Sequence, residues 1–415
     1  MIIKRIEKDE DGTVTLFVCA DVEGGEPDYS QLEVDRLVEE GKFPSLQADN
    51  QDINSAMAEA MSSASSMQIK VMQGASSPQG ADAMQTETVT DKYSDGYFDS
   101  YASLEVHEVM LKDQPRMEAY SQAVQRCKHL IEGRAVLDVG AGTGLLAMLC
   151  AKAGARVVYA AEASSMAVDA AAIVRANGLE GVVKILRGPI EELDLPEKVD
   201  VLISEWMGFY LLHESMFPSV LFARDRWLKP GGLMLPSHSN IYVAPVSMEK
   251  LKQEKLNFWD DVLGLDMSHL KTQALQNLVS TPQVDILAGD QLLGEMRTFA
   301  TINCNTVTDL ELRELVKEME FTVVRDGELA GFCCCFDVQF EGSESLPGKS
   351  DRVILSTSPL DPPTHWKQTV VMLGAFPKVA AGEGITCRMS LVQDADNPRH
   401  YSITVELPEA AQNRK

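Results

Sequence analysis

Arg134-Ala-Val-Leu-Asp-Val-Gly-Ala-Gly-Thr-Gly-Leu-Leu-Ala-Met-Leu-Cys-Ala-Lys-Ala-Gly-Ala-Arg-Val-Val-Tyr-Ala-Ala-Glu-Ala163 decides the fold. A short apolar run, RAVLDV, reads as a buried strand. A glycine loop follows, then LLAMLCAKAGA with helical spacing, then a second strand, RVVYAAEA. Strand, glycine loop, helix and strand form one βαβ unit. Gly140 permits a tight turn, Gly142 a close backbone approach to a ligand, and Gly144 a helix start near the strand. Glu162 lies 22 residues beyond Gly140, at the end of the second strand, where an acid can accept hydrogen bonds from ribose hydroxyls.

The alternation continues outward. VVKILRGP and KVDVLISEW read as a third and fourth strand, and SVLFARDRWL as a helix stopped at KPGG. This predicts an α/β doubly wound parallel sheet over residues 91–236. Past Leu235-Pro236 the pattern changes to NIYVAPV, GFCCCFDVQF, RVILST, TVVMLG and YSITVEL. These predict an antiparallel β-barrel over 237–415. A helical interruption from about Met248 to Leu270 sits among them. Residues 1–90 are different: IIKRIE and TVTLFVCAD suggest a hairpin around Asp11-Gly12. The Ser-, Gln- and Ala-rich stretch from Gln47 to about Asp91 reads as linker.

Charge narrows the function. The 415 residues carry a net charge of −25, and residues 1–60 hold 15 acids against 5 bases. Such a chain repels phosphate backbones and suits basic partners, so direct nucleic-acid binding is not expected. No apolar run is long enough for a membrane span. The eight cysteines form no CxxC pairs; Cys333 to Cys335 read as buried strand thiols, and no metal site is expected.

A second constellation follows the fourth strand: Ser204-Glu-Trp-Met-Gly-Phe-Tyr-Leu-Leu-His-Glu-Ser215. Glu205 and Glu214 lie nine positions apart on a loop at the strand ends, where ligands bind in such sheets. Two carboxylates beside aromatic groups repel each other unless a cation lies between them. A guanidinium, with its planar fork, is the best match.

The glycine loop reads GxGxG after Asp138, rather than the GxGxxG usual for dinucleotides, and resembles the methyltransferase form. SEWMG with HES resembles the double-glutamate loop of the protein arginine methyltransferase family. Four more segments agree in order: Tyr97-Phe-Asp-Ser-Tyr101, His107-Glu-Val-Met-Leu-Lys-Asp113 with Arg116, Gly188-Pro-Ile-Glu191, and Thr364-His365-Trp366. The match spans about Lys92 to Leu407. LLHESM, LSTSP with THWKQ, and DNPR are most similar to the type I branch of that family.

The resemblance implies S-adenosyl-L-methionine as cofactor. It implies Arg116 on the cofactor carboxylate, His107, Gly140 and Gly142 along its amino-acid part, Glu162 on its ribose, Asp138 and Gly144 among the other cofactor-binding residues, and Met110, also cofactor-binding, shaping with Met207 the pocket around the acceptor nitrogen. Ile190 and Glu191 are implied at its adenine. Glu205 and Glu214 would be catalytic, with His365 and Asp113 paired near the mouth to help remove a proton. Tyr97, Tyr101, Met207 and Trp366 would contact the acceptor. Implied too are a homodimer built through an arm at about 250–275, asymmetric dimethylarginine as product, and histone tails or Gly-Arg-rich proteins as substrates. A role in transcription and chromatin is implied with them, in the nucleus with a cytoplasmic fraction. Pro115, where a helix-compatible residue is usual, departs from the pattern. The alternatives are a small-molecule or nucleic-acid methyltransferase on the same sheet, and a catalytically weak coregulator scaffold. The paired acids and the acidic surface argue against the former, and the full set of polar site residues against the latter.

Overall fold

The computed structural model describes residues 2–8, 13–19, 66–71, 103–342 and 352–407. The chain divides into two units, residues 1–88 and 89–415. In the first, β1 (Ile2–Lys8) and β2 (Thr13–Cys19) form the expected antiparallel hairpin. A third strand, β3 (Ser66–Val71), runs parallel to β2. This corrects the reading of that stretch as linker. The alternation Met67, Ile69, Val71 is a strand period masked by the Ser- and Ala-rich residues before it.

The second unit opens with α1 (Leu104–Lys112), α2 (Gln114–Arg126) and α3 (Lys128–Ile131). Then come β4 (Ala135–Val139), α4 (Leu145–Lys152), β5 (Val157–Glu162), α5 (Met166–Ala176), β6 (Val183–Arg187) and β7 (Val199–Ser204). The half closes with α6 (Phe217–Trp227) and β8 (Leu228–Leu235). All pairings are parallel, in the order β6-β5-β4-β7-β8. Every residue of β4 and β5 is buried, as expected for strands covered on both faces.

The strand order reverses direction between β4 and β7. At that switch point the crevice outside the carboxyl ends of the strands is open to ligand. The glycine loop leaves β4 there and the double-glutamate loop leaves β7 beside it. Topology alone therefore brings residues 138–144 and 204–215 together.

Pro115 finds its explanation here. α1 ends at Lys112, and Asp113 caps a new helix by accepting the backbone N–H of Arg116 at 3.1 Å. Pro115 falls in the first turn of α2, where its missing N–H would have had no partner anyway. The proline marks a helix start rather than a break.

The remainder is antiparallel. It contains β9 (His238–Val246), then an arm with α7 (Glu249–Lys255) and α8 (Lys271–Ser280), then β10 (Gln283–Asp285), β11 (Arg297–Asn303) and β12 (Glu314–Thr322). The chain continues through β13 (Gly327–Glu328), β14 (Gly331–Phe340), β15 (Val353–Ser356) and β16 (Gln368–Met372). β17 (Lys378–Val379), β18 (Gly384–Gln393) and β19 (Tyr401–Glu406) end it. The main sheet runs β10-β16-β14-β9-β11 with β15 on β14, and a second runs β12-β18-β19. The helical interruption extends ten residues beyond the expected end at Leu270. The FCCCF run lies inside β14, and Cys333, Cys334 and Cys335 are buried and unpaired. Burial pushes the Cys334 thiol pKa up, as expected for inert core thiols.

One apolar core runs through both halves of this unit, taking in Leu137 and Leu202 of the parallel sheet and Phe336 and Met389 of the antiparallel sheets. The two halves therefore form one packed body, which fixes the barrel loops against the crevice.

Candidate active site

Two adjoining cavities occupy the crevice. The first, about 1020 Å³ including its open mouth, is lined by His107, Met110, Arg116, Gly140, Gly142, Glu162, Ile190, Glu191, Glu205 and Met207 among others. The second, about 820 Å³ on the same basis, is lined by Met110, Glu205, Met207, Glu214, His365 and Trp366, with Glu105, Val106 and Val109 of α1. Met110, Glu205 and Met207 face both. A molecule in one cavity can therefore meet a molecule in the other at these three side chains.

The first cavity is built on backbone. Gly140, Gly142 and Gly144 have φ of +72°, +53° and +79°. A Cβ at Gly142 would lie 3.1 Å from Cε1 of His107, so the loop passes close beneath α1. Glu162 accepts from the backbone N–H of Gly142 at 2.7 Å and of Ser164 at 2.8 Å, which locks the acid at the end of β5. Ile190 and Glu191 lie beyond it, and Met216 completes the wall.

Two expected residues sit behind this wall rather than in it. Gly144 starts α4 without lining the cavity. Asp138 is fully buried, and one of its oxygens accepts the backbone N–H of Ala147 at 2.9 Å. It fastens α4 to β4 and so shapes the loop indirectly. Burial raises its pKa to about 7, because a desolvated carboxylate is costly.

Arg116 and Glu205 meet each other. Arg116 Nε donates to Glu205 Oε2 at 3.0 Å and Nη1 donates to the Met110 carbonyl at 3.0 Å. Both side chains are about 10% exposed or less, so the pair sits in a low-dielectric setting between the cavities. The two residues were expected on different ligands, and the structure adds that one holds the other.

Glu214 reaches the second cavity from a strained loop. Tyr210, Leu211 and Glu214 all have φ between +40° and +80°. Such conformations cost on the order of 1–3 kcal/mol each and persist only where the surroundings impose them. Gly208 and Leu211 exchange backbone hydrogen bonds at 2.9 and 3.1 Å, and His213 N–H donates to Phe209 O at 3.1 Å. A Cβ on Gly208 would lie 1.7 Å from the backbone oxygen of His213, which cannot give way. Gly208→Ala is therefore expected to displace Glu214 and lower methyl-acceptor turnover at least about 100-fold. Binding of cofactor, measured by calorimetry, should change far less; near-parental turnover would show that this turn does not set the site.

Asp113 and His365 form the expected pair. Asp113 Oδ2 accepts from His365 Nδ1 at 2.6 Å and from its backbone N–H at 2.8 Å. Burial alone would raise the Asp113 pKa, but the hydrogen bonds from His365 and from Arg116 outweigh it and hold the carboxyl below its ordinary range. Trp366 is buried and its Nε1 donates to the Met207 carbonyl at 3.0 Å, tying the THW loop to the double-glutamate loop. Tyr97 and Tyr101 lie outside the described residues.

Sequence reasoning missed several contributors. Glu105, Val106 and Val109 line the second cavity from α1, and Met216 lines the first. The barrel segment 399–401 touches the double-glutamate loop from nearly 190 residues away in sequence. Its DNPR motif and the strand YSITVEL were visible, but no spacing rule connects either to the loop.

Residues 237–411 match the family model described as arginine methyltransferase oligomerization subdomain, and residues 136–232 match a methyltransferase domain. The chain is 40% identical to a probable protein arginine N-methyltransferase 6 of Arabidopsis thaliana, over 76% of this chain and 79% of the relative. It is 40% identical to protein arginine N-methyltransferase 6 of Danio rerio, over 75% and 88%. Among solved structures it resembles the Trypanosoma brucei PRMT1 enzyme-prozyme heterotetrameric complex with AdoHcy. That match has TM-score 0.67 and 38% identity, covering 76% of this chain and 96% of the other. It also resembles a PRMT6-SAH crystal structure, with TM-score 0.62 and 31% identity, covering 74% and 100%.

Proposed function

The chain belongs to the protein arginine methyltransferase family, and we propose that it transfers methyl groups from S-adenosyl-L-methionine to protein arginines, yielding mono- and asymmetric dimethylarginine. The observation that carries this reading is the junction of two cavities at Glu205, Met110 and Met207.

The first cavity fits the cofactor. Its glycine loop has left-handed backbone at Gly140, Gly142 and Gly144, any side chain at Gly140 would strike Met216, and an acid stands at the end of β5. Arg116 would hold the cofactor carboxylate: its Nη2 makes no hydrogen bond among the described residues. Glu162 would hold the ribose, and Glu191 with Ile190 would border the adenine. The cofactor supplies an electrophilic methyl on a sulfonium.

The protein's own residues do the rest. Free guanidinium is a poor nucleophile, because its positive charge is delocalised and its pKa exceeds about 12. Glu205 and Glu214 hold it by its N–H groups and orient one nitrogen toward the first cavity. Their charge also stabilises the positive charge concentrated on the guanidinium during transfer. Asp113 stays ionised and takes the Nδ1 proton of His365 as a hydrogen bond. That leaves Nε2 of His365, on the acceptor side, to receive a proton from the methylated nitrogen. Met110 and Met207 shape the space around that nitrogen, and room on one side favours a second methyl on the same atom.

Substrates of this chemistry are basic proteins, with histone tails and Gly-Arg-rich segments as the expected class. A chromatin and transcription role in the nucleus follows from that class. The arm exposes Phe258, Leu263, Leu265 and Met267, and Leu263 is 99% exposed, an arrangement that calls for a partner surface and supports a homodimer. Sedimentation of the active enzyme should give a dimer; a fully active monomer would contradict this. Methyl transfer from labelled cofactor to a Gly-Arg-rich peptide, followed by amino-acid analysis, tests the activity. Asymmetric dimethylarginine is the expected end product. Symmetric dimethylarginine, or monomethylarginine alone, would overturn the product assignment.

A further inference from the structure

The loop bearing Glu214 is gripped from the far end of the chain. Glu214 N–H donates to Arg399 O at 2.6 Å, and Arg399 Nη1 donates to Ser215 O at 3.2 Å. Tyr401 N–H donates to His213 Nδ1 at 3.1 Å, and Tyr210 Oη–H donates to Tyr401 O at 2.9 Å. Between these anchors, His400 places Nε2 3.6 Å from Glu214 Oε1 and stacks on His213 with ring centroids 4.9 Å apart. His213 Nε2 is 3.9 Å from the same oxygen. The His400 backbone is itself fixed: its N–H donates to Asn397 O and its carbonyl accepts from Asp394, both at 2.9 Å.

Two imidazoles and a carboxylate within 4.8 Å of one another also resemble a metal ligand set. The hydrogen bonding argues otherwise. His213 Nδ1 accepts a backbone N–H, so it carries a lone pair, and the neutral ring bears its proton on Nε2. Burial, the largest influence, lowers the His213 pKa, and the nearby Glu214 only partly opposes this, so the neutral ring is favoured. Its Nε2 then presents a proton to Glu214 rather than a lone pair to an ion. His400 and Glu214 alone fall short of the three or four protein ligands of a zinc site.

We infer that Arg399-His400-Tyr401 is the positioning element for the second acceptor carboxylate, with His400 as the side chain that orients it. This rests on the arginine-methylating reading above. Glu214 is half-exposed and has a left-handed backbone. Without support, its carboxylate would rotate among solvent-facing rotamers. The clasp holds the backbone by its main-chain bonds, and the two rings flank one carboxylate oxygen at 3.6 and 3.9 Å, which narrows the directions the carboxylate can take. A guanidinium fork needs such alignment, because both of its N–H bonds must be met at once.

The test compares His400→Ala with His400→Gln, whose amide nitrogen can replace Nε2 as donor. His400→Ala should lower kcat/KM for a Gly-Arg-rich peptide about tenfold, mostly through KM. His400→Gln should recover to within about threefold of the parent. Calorimetric affinity for S-adenosylhomocysteine and the unfolding midpoint should stay unchanged in both, since His400 lies outside the cofactor cavity. Parental peptide kinetics in His400→Ala would overturn the inference. So would a loss of cofactor affinity equal to the loss in kcat/KM, or potent inhibition of the parent by stoichiometric Zn²⁺ that His400→Ala abolishes. Absence of any transfer by the parent chain would sink the arginine reading itself, and the clasp with it.

Discussion

Glu205→Gln is expected to lower the rate of methyl transfer about 10³-fold or more, at saturating cofactor and peptide. The amide keeps the shape of the carboxylate but not its charge, and it cannot balance a guanidinium as methylation proceeds. Losing one preorganised electrostatic contact of this kind typically costs about 10²–10³ in turnover. Here the acid also aligns the nucleophile, which adds to the loss. Cofactor affinity should move by less than about tenfold. Arg116 keeps its bond to the Met110 carbonyl, and the Gln oxygen can still accept from Nε. Steady-state assays with titration calorimetry separate the two effects. A variant retaining a tenth or more of the parental rate would remove Glu205 from the mechanism.

Arg116→Ala should be the more damaging change, because it strikes both cavities and the fold. It leaves the Glu205 carboxylate, about 9% exposed, without its cation. Breaking a buried pair by removing one partner costs about 3–5 kcal/mol. The same substitution removes the guanidinium proposed to hold the cofactor carboxylate, so affinity for S-adenosylhomocysteine should fall at least about 100-fold. A double-mutant cycle with Glu205→Ala distinguishes the two losses. Stability should be partly restored in the double variant, since no uncompensated charge remains, while cofactor affinity should not recover. Additive losses of stability would mean the pair contributes no coupling.

Much of this architecture was legible in the sequence for local reasons. RAVLDV, the glycine loop and LLAMLCAKAGA each show a periodicity or turn signal within ten residues, so the βαβ core follows from neighbours. Glu205 and Glu214 were visible because one short loop carries both. What escaped notice depends on contacts between distant residues. The Arg116–Glu205 bond joins positions 89 apart, and the 399–401 clasp meets the loop across more than 180. No window-based pattern records such pairings; they emerge only when the parallel and antiparallel halves pack on one core. Pro115 shows a subtler limit. Its effect depended on whether α1 and α2 were one helix or two, and that was decided by the Asp113 cap, which also serves His365.

β3 shows how composition can mislead in the opposite direction. The Ser-rich run ahead of it resembles a flexible spacer, yet six residues at its end add a parallel strand to the hairpin. The arm went further than its apolar pattern suggested, because α8 presents Gln, Asn and Thr alongside its few apolar residues.

A crystal structure of the chain with S-adenosylhomocysteine and an arginine peptide tests the central claim most directly. The account places the peptide guanidinium between the carboxylates of Glu205 and Glu214, with one nitrogen about 3–4 Å from the methyl position on sulfur. A guanidinium bound elsewhere, with Glu205 engaged by Arg116 alone and Glu214 turned to solvent, would contradict it.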